Sequence, residues 1–541
     1  MNKISSELTF RVSKIYLNYL GTVLNRHAVF TLLMVLTGIS IYCFIYYLNN
    51  GLGIAYNDAR SHLDIGRRVV EGLKPGLAQL GSVWLPLTHV LMVPTIWNDF
   101  MWHSGLAGAL QSMASFVATA LVIYFFLQKL GAGLFARLVG VAVFVANINI
   151  LYLQSTAMTE LLLLATMTLG VYELVLWSKK ELPISLIKSS FWIMLSTLIR
   201  YDGWFLLFMA SLLILVKTVK DKGYKATEGT YIFFCSLGGL GIALWLLWNL
   251  LIFKDPLFFA FGPYSAHAQQ TQLDEAGVLA TKHELWLSIK IYFYALMYNS
   301  YGITVVFGVI GAVMVYLDKK ISVNTRLMLL SLLAPFIFNV IALYLGHSVL
   351  FIQGLSGDTW FNARYGIMMM PSLAVFVGYL IHRAGYFKYS IAGIWFFVIV
   401  FAFANYDAVT IDDARVGSSQ KNVTEVSGWL RENAADREGF VLISAASHDA
   451  IIFSSGLPMK RFIHEGTGKY WESATSYPDQ WARWIIMRTN DMNDMTFNTV
   501  SKTGALPKYE LVGQYPFADI YELRPEYVTQ VNTEPVYGKQ K

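Results

Sequence analysis

Residues 28–60 decide the fold, and they read AVFTLLMVLTGISIYCFIYYLNNGLGIAYNDAR. Residues 28–49 carry no charge, and about 20 mostly apolar residues are enough to cross a bilayer. The segment is too long for the apolar part of a signal peptide, and no small-residue cleavage site follows it near Tyr47 to Asn50. We therefore predict a retained transmembrane anchor, followed within a few residues by the charged sequence Asn57-Asp58-Ala59-Arg60.

The composition of the whole chain extends this prediction to a polytopic protein. Of its 541 residues, 55% are hydrophobic and 14% are charged, whereas soluble proteins carry roughly 25% charged residues. Residues 406–541 hold 18 acidic and 14 basic residues, which leaves 17 acidic and 27 basic residues for the first 405. The pattern predicts a mainly α, polytopic membrane helix bundle in residues 1–405 and a soluble α/β domain in residues 406–541.

The positive charge of the membrane part does not indicate nucleic-acid binding, because it is spread over short loops and forms no single basic patch. The two cysteines, Cys43 and Cys235, both lie in apolar runs. No disulfide framework is therefore expected in the soluble parts.

Eleven apolar segments are candidate membrane spans. With the N-terminus on the inner side, 18 Lys and Arg residues fall inside, including Lys3, Arg11, Lys14 and Arg26, and nine fall outside, as the positive-inside rule requires. This orientation makes 50–104, 253–291 and 347–364 long outer loops and places residues 406–541 outside. The predicted spans are residues 28–49, 105–127, 138–153, 160–177, 185–200, 203–219, 229–252, 292–316, 327–346, 365–382 and 389–405.

The pattern of residues 406–541 is that of a small α/β domain. We predict a buried strand over Phe440 to Ser444 and a hairpin formed by 509–515 and 517–523. The run Ser444 to Asp449 contains Ser, His and Asp, but residues adjacent in sequence rarely form a catalytic triad and no nucleophile elbow is present. We therefore expect this domain to close over an active site or contact an acceptor.

The first outer loop carries the clearest candidate functional residues. Its segment Ser61 to Leu73 has the pattern of an amphipathic helix, so one interpretation is an interfacial helix with solvated charges. Asp64, six residues after Asp58, would point to a different side of that helix, and we expect it to be structural.

Four short motifs resemble the GT-C superfamily of integral-membrane glycosyltransferases, and most closely the protein O-mannosyltransferases and lipid A aminoarabinose transferases. The resemblance covers residues 28 to about 405 as an architecture. The motifs are Asn57-Asp58-Ala59-Arg60, Gly81-Ser82-Val83-Trp84-Leu85-Pro86-Leu87, Ser155-Thr156-Ala157-Met158-Thr159-Glu160 and Arg200-Tyr201-Asp202-Gly203-Trp204.

The resemblance implies an outer-face transfer of a sugar from a polyprenyl phosphate to an acceptor hydroxyl, with inversion at the sugar carbon. Asp58 would be the general base, and Glu160 a second acid that orients the acceptor, although a helix-capping role is the alternative. Arg364 and Tyr365, with Arg200, would bind the donor phosphate. The alternatives are snorkelling of Arg364 and simple pairing of Arg200 with Asp202. Weaker candidates for substrate binding are Asn57, Tyr201, Asp202 and His267.

Metal dependence stays open at this stage. Asp58 and Glu160 would hold a divalent ion, Mg²⁺ or Mn²⁺, if one takes part, whereas a monophosphate leaving group can also be neutralised by arginine alone. His267 and His283 stand too far apart in sequence for a metal-ligand motif.

The expected partners are a polyprenyl-phosphate-linked sugar, a glycan, lipid or protein acceptor, and membrane lipids, and the expected location is a bacterial inner membrane. Two other functions remain open: a transporter or flippase of a lipid-linked glycan, and an O-antigen ligase or polymerase. A transporter site would lie near the bilayer midplane, whereas Asp58, Glu160, Arg200, Asp202 and Arg364 all fall at one predicted face. Neither the sugar nor the acceptor can be read from the sequence.

Overall fold

A computed structural model describes residues 27–262, 265–275, 277–416, 421–489, 491 and 494–535. Within these ranges most of the chain is helical, and a single sheet is formed by the residues after 439. The basic residues Lys3, Arg11, Lys14 and Arg26 of the orientation argument lie outside the described residues.

In the described part of the chain, eight helices are long and apolar enough to cross a membrane. A ninth span results if the helices Leu285–Ser300 and Gly302–Leu317, which meet at an angle of 108°, are counted as one. The eight are His27–Asn49, Leu106–Lys129, Glu160–Lys180, Asp202–Lys225, Thr227–Phe253, Val323–Tyr344, Ala363–Arg383 and Gly385–Arg415.

The predicted count of eleven spans is therefore not confirmed. Predicted span 138–153 is two shorter helices, Leu134–Val145 and Ile148–Leu153, because the Asn147 side chain accepts a hydrogen bond from the backbone N–H of Ile150 and starts a new helix. Predicted span 185–200 is the helix Pro183–Thr197, which has 15 residues.

Both short segments nevertheless return the chain to the same end of the bundle. Helix Glu160–Lys180 leaves that end and Pro183–Thr197 comes back to it, so that Arg200 lies beside Glu160. In the same way, Tyr152 near the end of Ile148–Leu153 donates a hydrogen bond to the carbonyl of Leu52, which follows the first span. Glu160, Arg200 and Tyr152 are thereby collected at one end of the bundle.

The helices of the membrane part, in chain order, comprise the spans and the shorter elements between them. The long helix Asp202–Phe253 is interrupted at Gly223, where φ is +75°. The α-helices not yet given are Asn57–Val70, Leu87–Ile96, Asp99–His103, Phe258–Phe261, Ala266–Glu275, Val323–Leu329, Ala334–Tyr344, Met370–Arg383 and Lys388–Ala404. The short 3₁₀ helices are Leu77–Leu80, Leu330–Leu333, Ala363–Met369 and Gly385–Phe387.

The tail contains a five-stranded sheet. Its strands are β1 Phe440–Leu442, β2 Phe462–Ile463, β3 Ala482–Met487, β4 Tyr509–Gln514 and β5 Asp519–Leu523. They lie in the order β2-β1-β3-β5-β4. Strand β1 pairs in parallel with β2 and β3, and β5 pairs antiparallel with β3 and β4, so the predicted strand and hairpin are both present. The helices of the tail are Val409–Val416, Lys421–Asn433, Ala445–Ser455, Lys469–Ser476, Pro478–Trp481, Met495–Val500 and Pro525–Val528. Its 3₁₀ turns are Met459–Arg461, Glu465–Thr467 and Leu506–Lys508.

The tail packs directly on residues 50–104, the loop that follows the first span. The helix Asn57–Val70 contacts the helix Ala445–Ser455, and Arg68 Nη1 lies 3.0 Å from Asp449 Oδ1 across this contact. Asp64 is fully buried beneath it and accepts a hydrogen bond from Trp102 Nε1, which agrees with the structural role expected for it. Burial, and then the neighbouring carboxylate of Asp449, raises the pKa of Asp64, and burial likewise raises the pKa of Asp449.

Candidate active site around Arg364

Arg364 lies at the centre of a cluster of charged side chains. Its Nε is 3.0 Å from Glu160 Oε1, its Nη2 is 2.5 Å from Asp58 Oδ2 and its Nη1 is 3.9 Å from Asp413 Oδ2. The three carboxylates come from three separate parts of the chain, and each faces a different edge of the guanidinium. The rings of Tyr56 and Tyr365 lie against the same group, 4.9 and 5.3 Å from its central carbon.

The backbone around Arg364 is held by the neighbouring helix Leu285–Ser300. Asn299 Nδ2 donates to the carbonyl of Ala363, and the Tyr292 hydroxyl donates to the carbonyl of Tyr365. Gly366 permits this close approach, since an added Cβ would collide with the backbone carbonyl of Ala295. The 3₁₀ turn that carries Arg364 is thereby held by side chains and backbone of the neighbouring helix.

Glu160 is the buried acid of the cluster. Its side chain is 0% exposed, and its Oε1 is shared between Arg364 Nε and Arg200 Nη1, at 3.0 and 3.5 Å. Its Oε2 has no hydrogen-bond partner in the described part of the molecule. Glu160 begins its helix, as the sequence predicted, but its hydrogen bonds run to arginines, so the simple helix-cap interpretation does not account for its position.

Arg200 extends the cluster on the far side of Glu160. Its Nε lies 3.4 Å from Asp202 Oδ2, so the pairing expected from sequence is present, and its guanidinium also stacks on the Tyr365 ring at 4.7 Å. Asp202 Oδ1 additionally accepts a hydrogen bond from Asn339 at 3.4 Å. Arg200 therefore joins the motifs around Glu160, Asp202 and Tyr365 in one network.

Asp58 is the accessible acid of the cluster. Its side chain is 42% exposed, against 6% for Arg364. Asp58 lies in the first turn of the helix Asn57–Val70, where the helix dipole favours a negative charge. The neighbouring Asn57 accepts a hydrogen bond from Arg60 at 3.2 Å. Asp58 is therefore accessible from the surface of the protein, whereas Glu160 is not.

A histidine pair next to this site was not predicted. His62 lies one helical turn after Asp58, and its Nδ1 is 2.8 Å from Nε2 of His89, with the Trp84 ring 4.3 Å from the His62 ring. Burial, together with the charges of Arg200 and Arg364, lowers the pKa of His62 to about 3, so the ring is neutral at neutral pH. The spacing of four residues between Asp58 and His62 was a sequence signal for this neighbourhood.

Asp413 and Tyr56 were also missed. Asp413 is buried, and its Oδ2 accepts a hydrogen bond from the Tyr56 hydroxyl at 3.3 Å. Burial and the Asp413 charge raise the pKa of Tyr56, so this hydroxyl stays protonated and able to donate. The sequence held a signal for Asp413, because Asp413-Ala414-Arg415 after the last span repeats the Asp58-Ala59-Arg60 that follows the first span.

Two of the weaker candidates lie outside the cluster. The Tyr201 ring packs against Trp204 and Phe259 instead of facing Arg364. His267 lies on the helix Ala266–Glu275, in the loop 253–291, where its ring contacts Phe261 edge-on. Tyr264, in the same loop, lies outside the described residues.

The arrangement does not fit a divalent ion held by Asp58 and Glu160. The guanidinium of Arg364 lies between the two acids and bonds to both, so it occupies the position that a bridging cation would need. No group of three or more His, Cys, Asp or Glu side chains with metal-binding geometry occurs in the ranges that the structure describes. The positive charge in this cluster is supplied by arginine.

The fold is similar to that of solved GT-C membrane proteins, which is the fold class predicted from the sequence. ArnT from Cupriavidus metallidurans bound to undecaprenyl phosphate matches with a TM-score of 0.54 and 9% sequence identity, over 90% of this chain and 98% of ArnT. The oligosaccharyltransferase of Archaeoglobus fulgidus matches with a TM-score of 0.46 in its complex with Zn and sulfate (12% identity, 84% of this chain and 67% of that chain). The oligosaccharyltransferase AglB from the same organism, in complex with an inhibitory peptide and a dolichol-phosphate, matches with a TM-score of 0.48 and 11% sequence identity, over 86% of this chain and 69% of that chain. No family model and no curated protein sequence matches the chain.

Proposed function

We propose that this protein is a membrane glycosyltransferase that moves a sugar from a polyprenyl-phosphate donor to an acceptor hydroxyl. The observation that supports this most directly is the cluster itself, in which Arg364 joins the accessible Asp58 to the buried Glu160 at one end of a membrane helix bundle. ArnT, which shares the fold, has been solved with undecaprenyl phosphate.

The donor phosphate would bind at the two arginines. Guanidinium groups offer paired N–H donors to phosphate oxygens and stay charged at any relevant pH. Arg364 lies on Tyr56 and Arg200 lies on Tyr365, so both groups are held in a fixed plane. To reach the phosphate, Arg364 has to exchange its contact with the exposed Asp58 for one with the ligand.

The lipid chain would run from there into the bundle. A small, mainly apolar cavity is lined by Leu164, Met167 and Leu332, together with Met368, which lies four residues after Arg364. Leu164 likewise lies four residues after Glu160, so the cavity begins about one helical turn below the charged cluster. A polyprenyl chain would have to widen this cavity to enter it, since the cavity as it stands has room for about one water molecule.

Asp58 would then act as the general base. Once the phosphate has drawn Arg364 away, the carboxylate accepts the proton of the acceptor hydroxyl while its oxygen bonds to the anomeric carbon. The bond from that carbon to the phosphate oxygen breaks in the same displacement, and polyprenyl phosphate leaves with the electron pair. One displacement inverts the sugar carbon, and Glu160 keeps the two arginines in place.

A transporter or flippase is less well supported. The charged residues described here come from the ends of helices, next to loops and to the tail, and a transport site would be expected near the middle of the membrane. A ligase or polymerase with a diphosphate donor would use similar chemistry, and it is a separate outcome of the following test.

The test is sugar transfer by the purified protein in liposomes. We expect short-chain polyprenyl-monophosphate sugars to be turned over to polyprenyl phosphate, with inversion, and mass spectrometry of the purified protein to show a bound polyprenyl phosphate. Activity with diphosphate donors only would support the ligase or polymerase. Movement of intact lipid-linked glycan across the liposome without bond cleavage would contradict the proposal and support a flippase.

We also propose that the cluster and the domain formed by residues 406–541 lie on the extracytoplasmic side of a bacterial inner membrane, with the N-terminus in the cytoplasm. The excess of Lys and Arg on the opposite connections supports this orientation. Reporter fusions after Lys388 and after Tyr406 should then give opposite locations, cytoplasmic for the first and extracytoplasmic for the second. A cytoplasmic signal from both would show that this orientation is wrong.

A further inference from the structure

We infer that Asp413 is a positioning residue for the transfer reaction, so that the helix Val409–Val416, which follows the membrane helix Lys388–Ala404, completes the active site. The inference rests on the proposed function and adds a residue from a part of the chain that the sequence motifs did not include. It is carried by the contacts of Asp413 with Arg364 and Tyr56 and by the way its helix is anchored.

Asp413 faces the edge of Arg364 that the other two acids leave open. Its Oδ2 is 3.9 Å from Arg364 Nη1 and 3.3 Å from the Tyr56 hydroxyl, and its side chain is only 4% exposed. Because Tyr56 also stacks on the guanidinium, Asp413 acts on Arg364 directly through its charge and indirectly through this ring. Removing the charge would alter both contacts.

The helix that carries Asp413 is fixed to the membrane bundle. Asn149 Oδ1 accepts hydrogen bonds from the backbone N–H of Thr410, at 3.0 Å, and from its hydroxyl, at 2.8 Å. The Tyr56 hydroxyl donates to the Thr410 carbonyl at 2.8 Å, and the Tyr301 hydroxyl donates to the Asp407 carbonyl at 3.1 Å. The carboxylate is therefore placed by the bundle rather than by the sheet of the tail.

The position of Asp413 suggests what it does in the reaction. Asp58 and Asp413 attract different nitrogens of one guanidinium, Nη2 and Nη1, so the charge of Asp413 limits how strongly Arg364 can pair with the base. Without that charge, Arg364 would turn further toward Asp58 and keep it from accepting a proton. The donor phosphate, in contrast, would meet one negative charge fewer.

The experiment compares Asp413→Asn with Asp412→Asn, because Asp412 is the adjacent but exposed carboxylate. We expect Asp413→Asn to lower kcat about tenfold, within the range of coupling between residues in contact, while the KM for the donor stays equal or falls. Asp412→Asn should leave both constants unchanged, and Asp413→Glu, which keeps the charge, should recover most of the kcat. If Asp413 had a purely structural role, Asp413→Asn would reduce the amount of folded protein, and the protein that folds would have the kcat and KM of wild type.

The effect should also depend on Arg364. In an Arg364→Lys background, whose single ammonium cannot face three carboxylates at once, we expect Asp413→Asn to change kcat by less than about twofold. The same tenfold loss in both backgrounds would show that Asp413 does not act through Arg364. If Asp413→Asn does not fold, Tyr56→Phe, which removes the hydroxyl shared by the Thr410 carbonyl and Asp413, should shift the constants in the same direction by a smaller amount.

The outcomes separate this inference from the proposed function. A wild-type protein that transfers sugar while Asp413→Asn behaves like Asp412→Asn overturns the inference alone. A wild-type protein that transfers no sugar overturns the proposed function, and binding of undecaprenyl phosphate then tests Asp413 by itself. Tighter binding by Asp413→Asn than by wild type and Asp412→Asn is expected, and equal binding by all three would overturn the inference.

Discussion

Replacing Asp58 by asparagine is expected to lower turnover by roughly 10²–10⁴-fold, the contribution attributed to general base catalysis. The substitution keeps the size of the side chain and its ability to accept a hydrogen bond from Arg364, but it removes its affinity for a proton. Donor affinity should be no weaker than in wild type, since the donor phosphate no longer competes with a carboxylate for Arg364 Nη2. Steady-state transfer and binding of a polyprenyl-phosphate sugar measure the two effects.

Asp99→Asn is the matched control for this variant. Asp99 lies on the same loop, residues 50–104, and pairs with Arg67, but its side chain is 76% exposed and has no described contact with the cluster around Arg364. We expect its turnover to stay within about twofold of wild type, as for most surface substitutions. Near-normal transfer by a folded Asp58→Asn protein would exclude Asp58 as the base and make the neutral His62, one helical turn away, the next residue to test.

Replacing Arg364 by alanine is expected to weaken donor binding by about one to two decades. A hydrogen bond to a charged group contributes roughly 1.5–3 kcal/mol, and each 1.4 kcal/mol is a factor of ten. The same substitution leaves Asp58, Glu160 and Asp413 without their shared cation, and breaking a buried ion pair costs about 3–5 kcal/mol of stability. Arg364→Lys keeps the charge but loses the planar fork, so it should lie between wild type and alanine in both respects.

Arg383→Lys serves as the control, because Arg383 lies at the other end of the same span and pairs with Asp318 there. Donor affinity should not change in this variant. Affinities measured by titration with a short-chain polyprenyl-phosphate sugar, alongside thermal unfolding, separate lost binding from lost structure. Equal affinities in wild type, Arg364→Lys and Arg364→Ala would contradict a phosphate site at Arg364, and Arg200 would become the candidate.

Hydrophobicity predicted where the membrane helices lie, but it did not predict their lengths. The apolar run 138–153 contains Asn147 and Asn149, and each donates to the carbonyl of Asn299 on a distant helix. These contacts hold the break between two short helices, and they depend on a partner that no local pattern reveals. The 108° bend is similar: Tyr301 has φ +62°, a conformation set by packing, for which only the adjacent Gly302 gave a hint.

The site was partly predictable for a related reason. Asp58, Glu160, Arg200 and Arg364 each occur where a predicted span begins or ends, so the alternation of spans was enough to place them at one face. Asp413 was assigned to the soluble domain because the chain turns polar after Tyr406. In the structure, the helix Val409–Val416 is held against the membrane bundle through Thr410 and Asn149, which brings Asp413 to Arg364.

The order of these residues along the chain has a consequence for biogenesis. Glu160 enters the membrane before its main partner exists, since Arg364 is synthesised 204 residues later. Arg200 follows after 40 residues, so it is available to neutralise the buried acid while the ribosome is still translating the intervening helices. Asp413 emerges last, and a nascent chain tethered to the ribosome before that point holds an incomplete charge cluster. We therefore expect the growing polypeptide to complete its charge cluster only after the helix that carries Asp413 has emerged from the ribosome.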